Sequence, residues 1–145
     1  MEFPITDLLD HESSIAWILD HFHPKGLQCP DCQKPVKYSR QFRRTQKSRL
    51  VVYRCYGCGS VYTLYTGTVF EHCAWTPMQA VLLMRGICKG ETTRELAAEL
   101  KLNYKTVLDI RHKVQANAES ERPKTPLPDL HSETDEMFQN AGEKR

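Results

Sequence analysis

The chain has 145 residues, a hydrophobic content of 40% and a formal net charge of +2, which suits one ordinary domain or two small modules. Its first residues, MEFPITDLLDHESS, lack the basic start and apolar run of a secretory signal, and no apolar stretch reaches the roughly 18 residues of a membrane span. We therefore expect a cytoplasmic protein with no membrane partner, whose six cysteines serve as metal ligands or core residues rather than as disulfides.

The small net charge conceals a strong partition along the chain. Residues 1–24 contain five acidic residues and no lysine or arginine, whereas residues 25–54 contain nine lysines and arginines and a single acid, Asp31. Such a basic block is typical of a protein that binds a polyanion such as nucleic acid, although a solvated charged surface has the same composition.

The first predicted element is a helix that begins at Thr6 or Asp10 and ends at Phe22, before Pro24 and Gly26. Its apolar positions recur at helical spacing, with Trp17 flanking the stripe, and they are Ile15, Ile18, Leu19 and Phe22.

Three β-prone runs follow, at residues 36–42, 49–55 and 61–67, and glycines separate them. They predict a three-stranded antiparallel meander, with RRTQKSR as the loop of its first hairpin.

Three more helices have recognisable starts. Thr76 and Pro77 predict the cap and first turn of a largely buried helix over residues 77–89. Thr92 and Glu95 form a capping box for a helix that ends near Leu100. Asn103 caps a last helix, whose apolar face contains Val107, Ile110 and Val114. The short joint between the last two helices is typical of a helix-turn-helix.

The strongest chemical signal is the pair of motifs C29-P-D-C32 and C55-Y-G-C58. Two such knuckles supply the four thiolates of a tetrahedral structural zinc site, which leaves no open position for a catalytic water. Gly57 and Gly59 flank Cys58, and we expect both to serve the backbone angles of the knuckle. The alternative is a redox Cys-x-x-Cys, which favours a βαβ setting and a single pair.

The other candidate ligands fit less well. We expect Cys88 to lie in the core of its apolar helix and Cys73, beside His72, to remain outside the metal site. His21 and His23 are interpreted as residues of a helix end.

Two groups of residues are candidates for DNA contact. The basic run, interleaved with Phe42, predicts contacts to the phosphate backbone from Arg40, Arg43, Arg44, Lys47 and Arg49. The outward face of the last helix predicts contacts in a major groove from Lys105, Thr106, Arg111, His112 and Lys113. A plain three-helix bundle with an exposed charged face is the alternative for the second group.

The segments CPDC, YRCYGCGSVYTLYTGTVFE, TPMQAVLLM, TTRELAAELKLNYKTVLDIRHKV and TDEMFQNAGEK, in this order, closely resemble the N-terminal part of bacterial zinc-ribbon insertion-sequence transposases. YTGTVFE and LNYKTV are the most specific of these segments. The resemblance implies a zinc ribbon, a helical DNA-binding region and the start of a DDE-type catalytic domain. It also places Asp135 on the first metal-binding carboxylate, while Mg²⁺ catalysis needs further carboxylates from the rest of that domain.

Together these observations predict a small α+β fold, in which a rubredoxin-like zinc ribbon precedes a helix-turn-helix bundle. The expected divisions are an N-terminal helix (1–24), the ribbon (25–70), the bundle (71–118), a proline-rich linker (119–130) and a truncated catalytic start (131–145) in which Asp135 is idle. We expect a nucleoid-associated bacterial protein that binds the terminal repeats of its element, alone, as a homo-oligomer or with a full-length transposase. The alternatives are a stand-alone transcriptional regulator and a zinc-ribbon interaction module.

Overall fold

The computed structural model describes residues 10–124, which form a small α+β protein. The elements in chain order are α1 (His11–Phe22), β1 (Ser39–Arg44), β2 (Val51–Cys55), β3 (Val61–Tyr62), α2 (Pro77–Lys89), α3 (Thr93–Glu99) and α4 (Tyr104–Ser120). The three strands make one antiparallel sheet in the order β1-β2-β3, as predicted. None of the helices in this part of the chain is both long and apolar enough to cross a membrane.

Helix α1 starts where Asp10 caps it, since the Asp10 carboxylate accepts a hydrogen bond from the Ser13 amide at 3.1 Å. The later of the two predicted starts is therefore the one observed. The helix packs against α2, and its most buried side chains are Ser14, Trp17 and Ile18. Trp17 is 7% exposed, so it belongs to the buried face that it was predicted only to flank.

The sheet is shorter than predicted at two places. Residues 36–38 form a 3-10 turn rather than the start of β1, and β3 contains only two residues. After β3 the backbone turns because threonine hydroxyls accept hydrogen bonds from nearby amides: Thr66 from Thr63 at 3.0 Å, and Thr68 from Phe70 at 3.1 Å. These local bonds compete with strand pairing, which explains why a β-prone composition does not extend the strand.

The hairpin loop between β1 and β2 begins later than predicted, because Arg43 and Arg44 pair within the sheet. Thr45 closes the loop: its amide donates to the Leu50 carbonyl, and its hydroxyl accepts from the Leu50 amide, both at 2.9 Å. The loop therefore directs Leu50, which is 3% exposed, into the main core.

The main hydrophobic core joins all four helices to the end of the sheet region. Its buried members are Trp17, Ile18, Leu50, Leu64, Tyr65, Phe70, Trp75, Ala80, Val81, Leu83, Met84, Leu96, Ala97, Val107 and Ile110. A second, much smaller cluster contains Leu27, Cys29, Cys55 and Tyr62, and Leu19 of α1 packs against both clusters. The sheet region therefore packs against the helices through a few side chains.

Helices α2 to α4 begin and end as their local sequences require. The predicted capping box at Thr92 is present, and the predicted cap at Thr76 is also part of a capping box, with Gln79 as its partner. Gly86 lets α3 approach α2, because a Cβ there would lie 2.2 Å from Leu96 Cδ2. Helix α3 ends with Lys101 at φ 54°, while the Leu102 amide donates to the Ala97 carbonyl at 2.9 Å. This cap turns the chain directly into α4.

One predicted core residue is on the surface. Cys88 lies in the last turn of α2 and is exposed. The buried positions of that helix, among them Val81, Leu83 and Met84, occur in its first ten residues. An apolar composition alone did not show on which side of the helix Cys88 would lie.

Substitution of the residue that caps α4 tests how much this cap contributes to the stability of the protein. The Asn103 side chain accepts hydrogen bonds from the Lys105 and Thr106 amides at 3.0 and 3.4 Å. Asn103→Ala should lower the free energy of unfolding by about 1 kcal/mol, whereas Asn103→Ser should retain most of it. Urea titration measures both values, and equal stability of the two variants would contradict the role of the cap.

Candidate metal centre and nucleic-acid surfaces

Four cysteine sulfurs converge at one end of the sheet. The Sγ atoms of Cys29, Cys32, Cys55 and Cys58 all lie within 4.8 Å of one another. Individual separations are 3.4 Å for Cys29–Cys58 and 3.5 Å for Cys32–Cys55. Sulfurs bound tetrahedrally at about 2.3 Å from a metal lie about 3.8 Å apart, so the cluster is close to the size that a zinc ion requires. The four cysteines could therefore hold a metal ion such as zinc.

Two knuckles with the same backbone pattern position these sulfurs. In the first, the Cys29 amide donates to the Lys34 carbonyl, and the Cys29 carbonyl accepts from the Gln33 amide, both at 2.9 Å. In the second, Cys55 makes the equivalent bonds with Ser60 and Gly59, at 2.9 and 3.0 Å. Each Cys-x-x-Cys pair is thus closed by its own turn, independently of the other.

The two knuckles differ at the position after their second cysteine. Gly59 has φ 77° and Gln33 has φ 59°, so both turns need a left-handed residue there. Glycine adopts this conformation without strain, whereas glutamine does not. The prediction that Gly57 serves the same purpose was wrong, because Gly57 is not among the residues with positive φ.

A hydrogen bond also joins the two knuckles. The Ser60 hydroxyl, next to the second knuckle, donates to the Asp31 carboxylate in the first. No local sequence pattern predicts this pair, because the two residues are 29 positions apart.

The electrostatics of the cluster favour a bound cation. Hydrogen bonding with the side chain and the backbone amide of Ser60 lowers the pKa of the Cys58 thiol to about 6. A bond from the Lys34 amide lowers the pKa of Cys32, but burial and the other three sulfurs outweigh it and raise that pKa to about 12. Four sulfurs this close repel one another as thiolates, and a divalent metal removes that repulsion.

The other cysteines and the nearby histidines lie outside the cluster. Cys73 is half-buried against the main core, and burial raises the pKa of its thiol. The His21 ring stacks on Trp17 with centroids 4.0 Å apart, and the His23 ring nitrogen contacts the Leu64 carbonyl at 2.7 Å. These residues therefore serve packing and helix ends in the structure.

The basic hairpin has an exposed and unneutralised charge. All five of its predicted DNA-binding side chains are exposed, namely those of Arg40, Arg43, Arg44, Lys47 and Arg49. In residues 10–124, ion-pair contacts within 4.0 Å involve only histidines, so no lysine or arginine there is paired with a carboxylate. Because nothing neutralises these cations internally, they remain available to an anionic partner.

Arg54 is a further exposed basic residue of the sheet, and it was not among the predicted DNA contacts. In β2, Arg54 lies directly opposite Arg40 on one side and Val61 on the other, so the three side chains share a face. The Arg54 guanidinium also lies over the Phe42 ring, 5.8 Å from its centroid. Strand alternation in VVYRC separates Arg54 from Tyr53 and Cys55, but it also places Val52, which is 2% exposed, on the side of Arg54.

The predicted contacts on α4 fall into two environments. Lys105, His112 and Lys113 are exposed, and Thr106 is half-buried beside the helix cap. Arg111 is half-buried and donates from its guanidinium to the Glu91 carbonyl, in the turn between α2 and α3. The Nε atom of Arg111 is also the one buried side-chain polar atom without a partner in the described part of the chain. Arg111 thus connects helices rather than projecting from them.

Asp135 and the predicted catalytic start at 131–145 lie outside the described residues, as do residues 125–130 of the predicted linker. The linker was expected from residue 119, but α4 continues to Ser120.

Comparison with known proteins gives one informative similarity. The chain is 31% identical over 124 residues to a protein of Halobacterium salinarum described as an uncharacterized protein in transposable element ISH50. The match covers 82% of this chain and 38% of that protein, so the chain spans well under half of its relative's length. It is a distant relative of a transposable-element protein. No protein-family model and no solved structure matches the chain.

The difference between Gly57 and Gly59 provides a matched test of the second knuckle. Gly59→Ala places a side chain at φ 77° and should lower the free energy of unfolding of the metal-loaded protein by about 1 kcal/mol. Gly57→Ala meets only the flexible end of Lys34, 2.7 Å from the new Cβ, and should change it by less than about 0.5 kcal/mol. Urea unfolding of the two variants checks the order, and the reverse order would refute this account of the knuckle.

Proposed function

We propose that this chain is the DNA-recognition part of an insertion-element transposase, in which a zinc ribbon and a helix-turn-helix together bind the ends of the element. The similarity to a protein in a transposable element carries this proposal, because it extends over 124 residues and most of this chain. The four-cysteine cluster and the unpaired basic residues support it independently.

The proposed metal is zinc, bound for structural reasons by Cys29, Cys32, Cys55 and Cys58. Thiolate sulfur is the ligand type that structural zinc sites favour, and four such ligands complete a tetrahedron. The small cluster around Cys29 and Cys55 contains only four buried residues, too few to hold three short strands by packing alone. Zinc would supply the remaining stability of this rubredoxin-like ribbon, which we place at residues 25–70.

The proposed helix-turn-helix consists of α3 and α4, within a helical region at residues 71–118. Four residues separate the helices, and Leu96, Ala97, Val107 and Ile110 bury the faces by which they meet. On the opposite side of α4, the exposed positions Lys105, Asp109 and His112 recur at helical spacing. An exposed stripe of this width at the start of a second helix suits insertion into a major groove.

The arginines and lysines of the hairpin would contact phosphates and supply affinity without sequence information. DNA cleavage and joining by a transposase require Mg²⁺ held by carboxylates, and the proposed recognition residues provide none of these. We therefore propose that residues 10–124 select and hold DNA, with a homo-oligomer or a full-length transposase as possible partners in the element-bound complex.

The zinc proposal predicts one zinc ion per chain, measured by atomic emission on the purified protein. Cys29→Ser and Cys55→Ser each remove a ligand and should reduce the zinc content several-fold. Cys73→Ser and Cys88→Ser are the matched controls, and both should retain one ion. A cobalt-substituted protein should show the visible absorption of tetrahedral thiolate ligation. A metal-free protein with the native circular dichroism spectrum, or a disulfide among the four cysteines, would contradict the proposal.

The DNA proposal predicts two different kinds of mutant. Lys105→Ala and His112→Ala should each reduce the preference for element-end duplex over random duplex by roughly tenfold, because they remove contacts to base edges. Arg43→Ala combined with Arg44→Ala should weaken both duplexes equally and reduce the salt slope by about 2, because it removes phosphate contacts.

Fluorescence anisotropy at several salt concentrations measures all of these quantities. Asp109→Asn is a control on the same helix face, since it changes a charge without removing a cation. Discrimination that persists unchanged in both helix mutants would remove α4 from sequence recognition.

A further inference from the structure

The exposed side of the sheet has a charge arrangement that the protein itself leaves unbalanced. We define the outer sheet face as Arg40, Phe42, Arg54 and Val61. Arg40 and Arg54 are direct cross-strand partners, and like charges at such positions destabilise a sheet. Among the residues that the structure describes, neither has a carboxylate within 4.0 Å, and Asp31, the single acid in residues 25–54, accepts a hydrogen bond from Ser60. An anion bound at this pair would offset the repulsion.

A bulge in β1 adds an aromatic ring to the two arginines. The register shifts between Gln41 and Arg43, which leaves Phe42 as the extra residue. Bulges re-aim side chains, and here the Phe42 ring lies on the side of the sheet that Arg54 occupies. Phe42 is 48% exposed and Val61 is 49% exposed, so about half of each side chain is accessible to solvent.

Two more exposed aromatic residues lie at the end of the β1–β2 pair, next to the partners Ser39 and Cys55. Tyr38 and Tyr56 are both exposed, and the Tyr56 amide donates to the Tyr38 carbonyl at 3.0 Å. The Lys37 ammonium lies 5.3 Å from the centroid of the Tyr38 ring. Exposed rings interleaved with cations are the combination by which proteins bind single-stranded nucleic acid, with bases stacked on rings and phosphates on cations. A duplex offers its phosphates to the cations but keeps its base faces stacked on one another.

We propose that the outer sheet face binds an unpaired DNA strand, with a base stacked on Phe42 and a phosphate between Arg40 and Arg54. The choice of DNA over RNA rests on the proposed function; the preference for an unpaired strand rests on the exposed rings. None of these residues belongs to α4, so the outer sheet face would hold an opened strand while α4, with Arg43 and Arg44 of the hairpin, holds duplex.

The test compares oligothymidine of about 12 nucleotides with an abasic strand of equal length and phosphate number, by fluorescence anisotropy. The wild-type protein should bind oligothymidine at least about fivefold more tightly, because only that strand can stack. Phe42→Leu should remove this difference, and Phe42→Tyr, which keeps the ring, should retain it. Arg40→Gln should weaken both strands by a similar factor, because it removes a phosphate contact.

Equal binding of the two strands by the wild-type protein would overturn the proposal without any mutant, and so would a Phe42→Leu variant that keeps the difference. Tighter binding of oligouridine than of oligothymidine would overturn the assignment to DNA. Lys105→Ala, which tests the duplex proposal, should leave the oligothymidine preference unchanged. If the wild-type protein prefers oligothymidine but does not distinguish element-end duplex from random duplex, the result refutes the proposed function and leaves the single-strand proposal standing.

Discussion

The sheet region must keep four cysteine sulfurs within 4.8 Å of one another. Two of them, from Cys29 and Cys55, are themselves members of the small cluster, so the ligands replace apolar side chains that a larger domain would use. Binding energies of about 10–16 kcal/mol for structural zinc in small peptides exceed what four buried residues can supply. A metal held there would explain how one layer of three short strands keeps an open, charged face.

Apolar packing in the main core stabilises the helices instead. Residues of the sheet region also take part in that packing, so the helical and sheet regions do not divide where their composition suggests. Leu50 and Leu64 belong to the main core although they lie in or beside the sheet region, and Leu19 of α1 packs against both clusters. Apolar burial in the main core does not depend on the metal. Loss of a metal from the four sulfurs would therefore act first on β1, β2 and β3, and it would reach the main core through Leu50 and Leu64.

Features set by a few neighbouring residues could be predicted from the sequence. The knuckle spacing, the Thr92 capping box and the caps at Thr76 and Asn103 depend on local hydrogen bonds, and they are present. Features set by distant neighbours could not. Arg111 was expected at the DNA surface, but its partner is the carbonyl of Glu91, 20 residues earlier. β3 ends early because threonine hydroxyls accept hydrogen bonds from amides that follow the strand. The β propensity of the residues does not take these hydrogen bonds into account.

The unpaired positive charges on the sheet affect both the stability of the sheet and its capacity to bind an anionic partner. An arginine pair such as Arg40 and Arg54 weakens the sheet in which it lies, so a fold selected for stability alone would place a carboxylate opposite one of them. The chain instead keeps cations together on β1 and β2 and leaves α4 with a mixed polar stripe. Concentrated charge favours affinity and fast association, whereas a mixed stripe favours discrimination between bases. In the proposed function, the first surface belongs to the sheet that zinc would support and the second to a helix packed in the apolar core, so loss of the ion should reduce affinity more than discrimination.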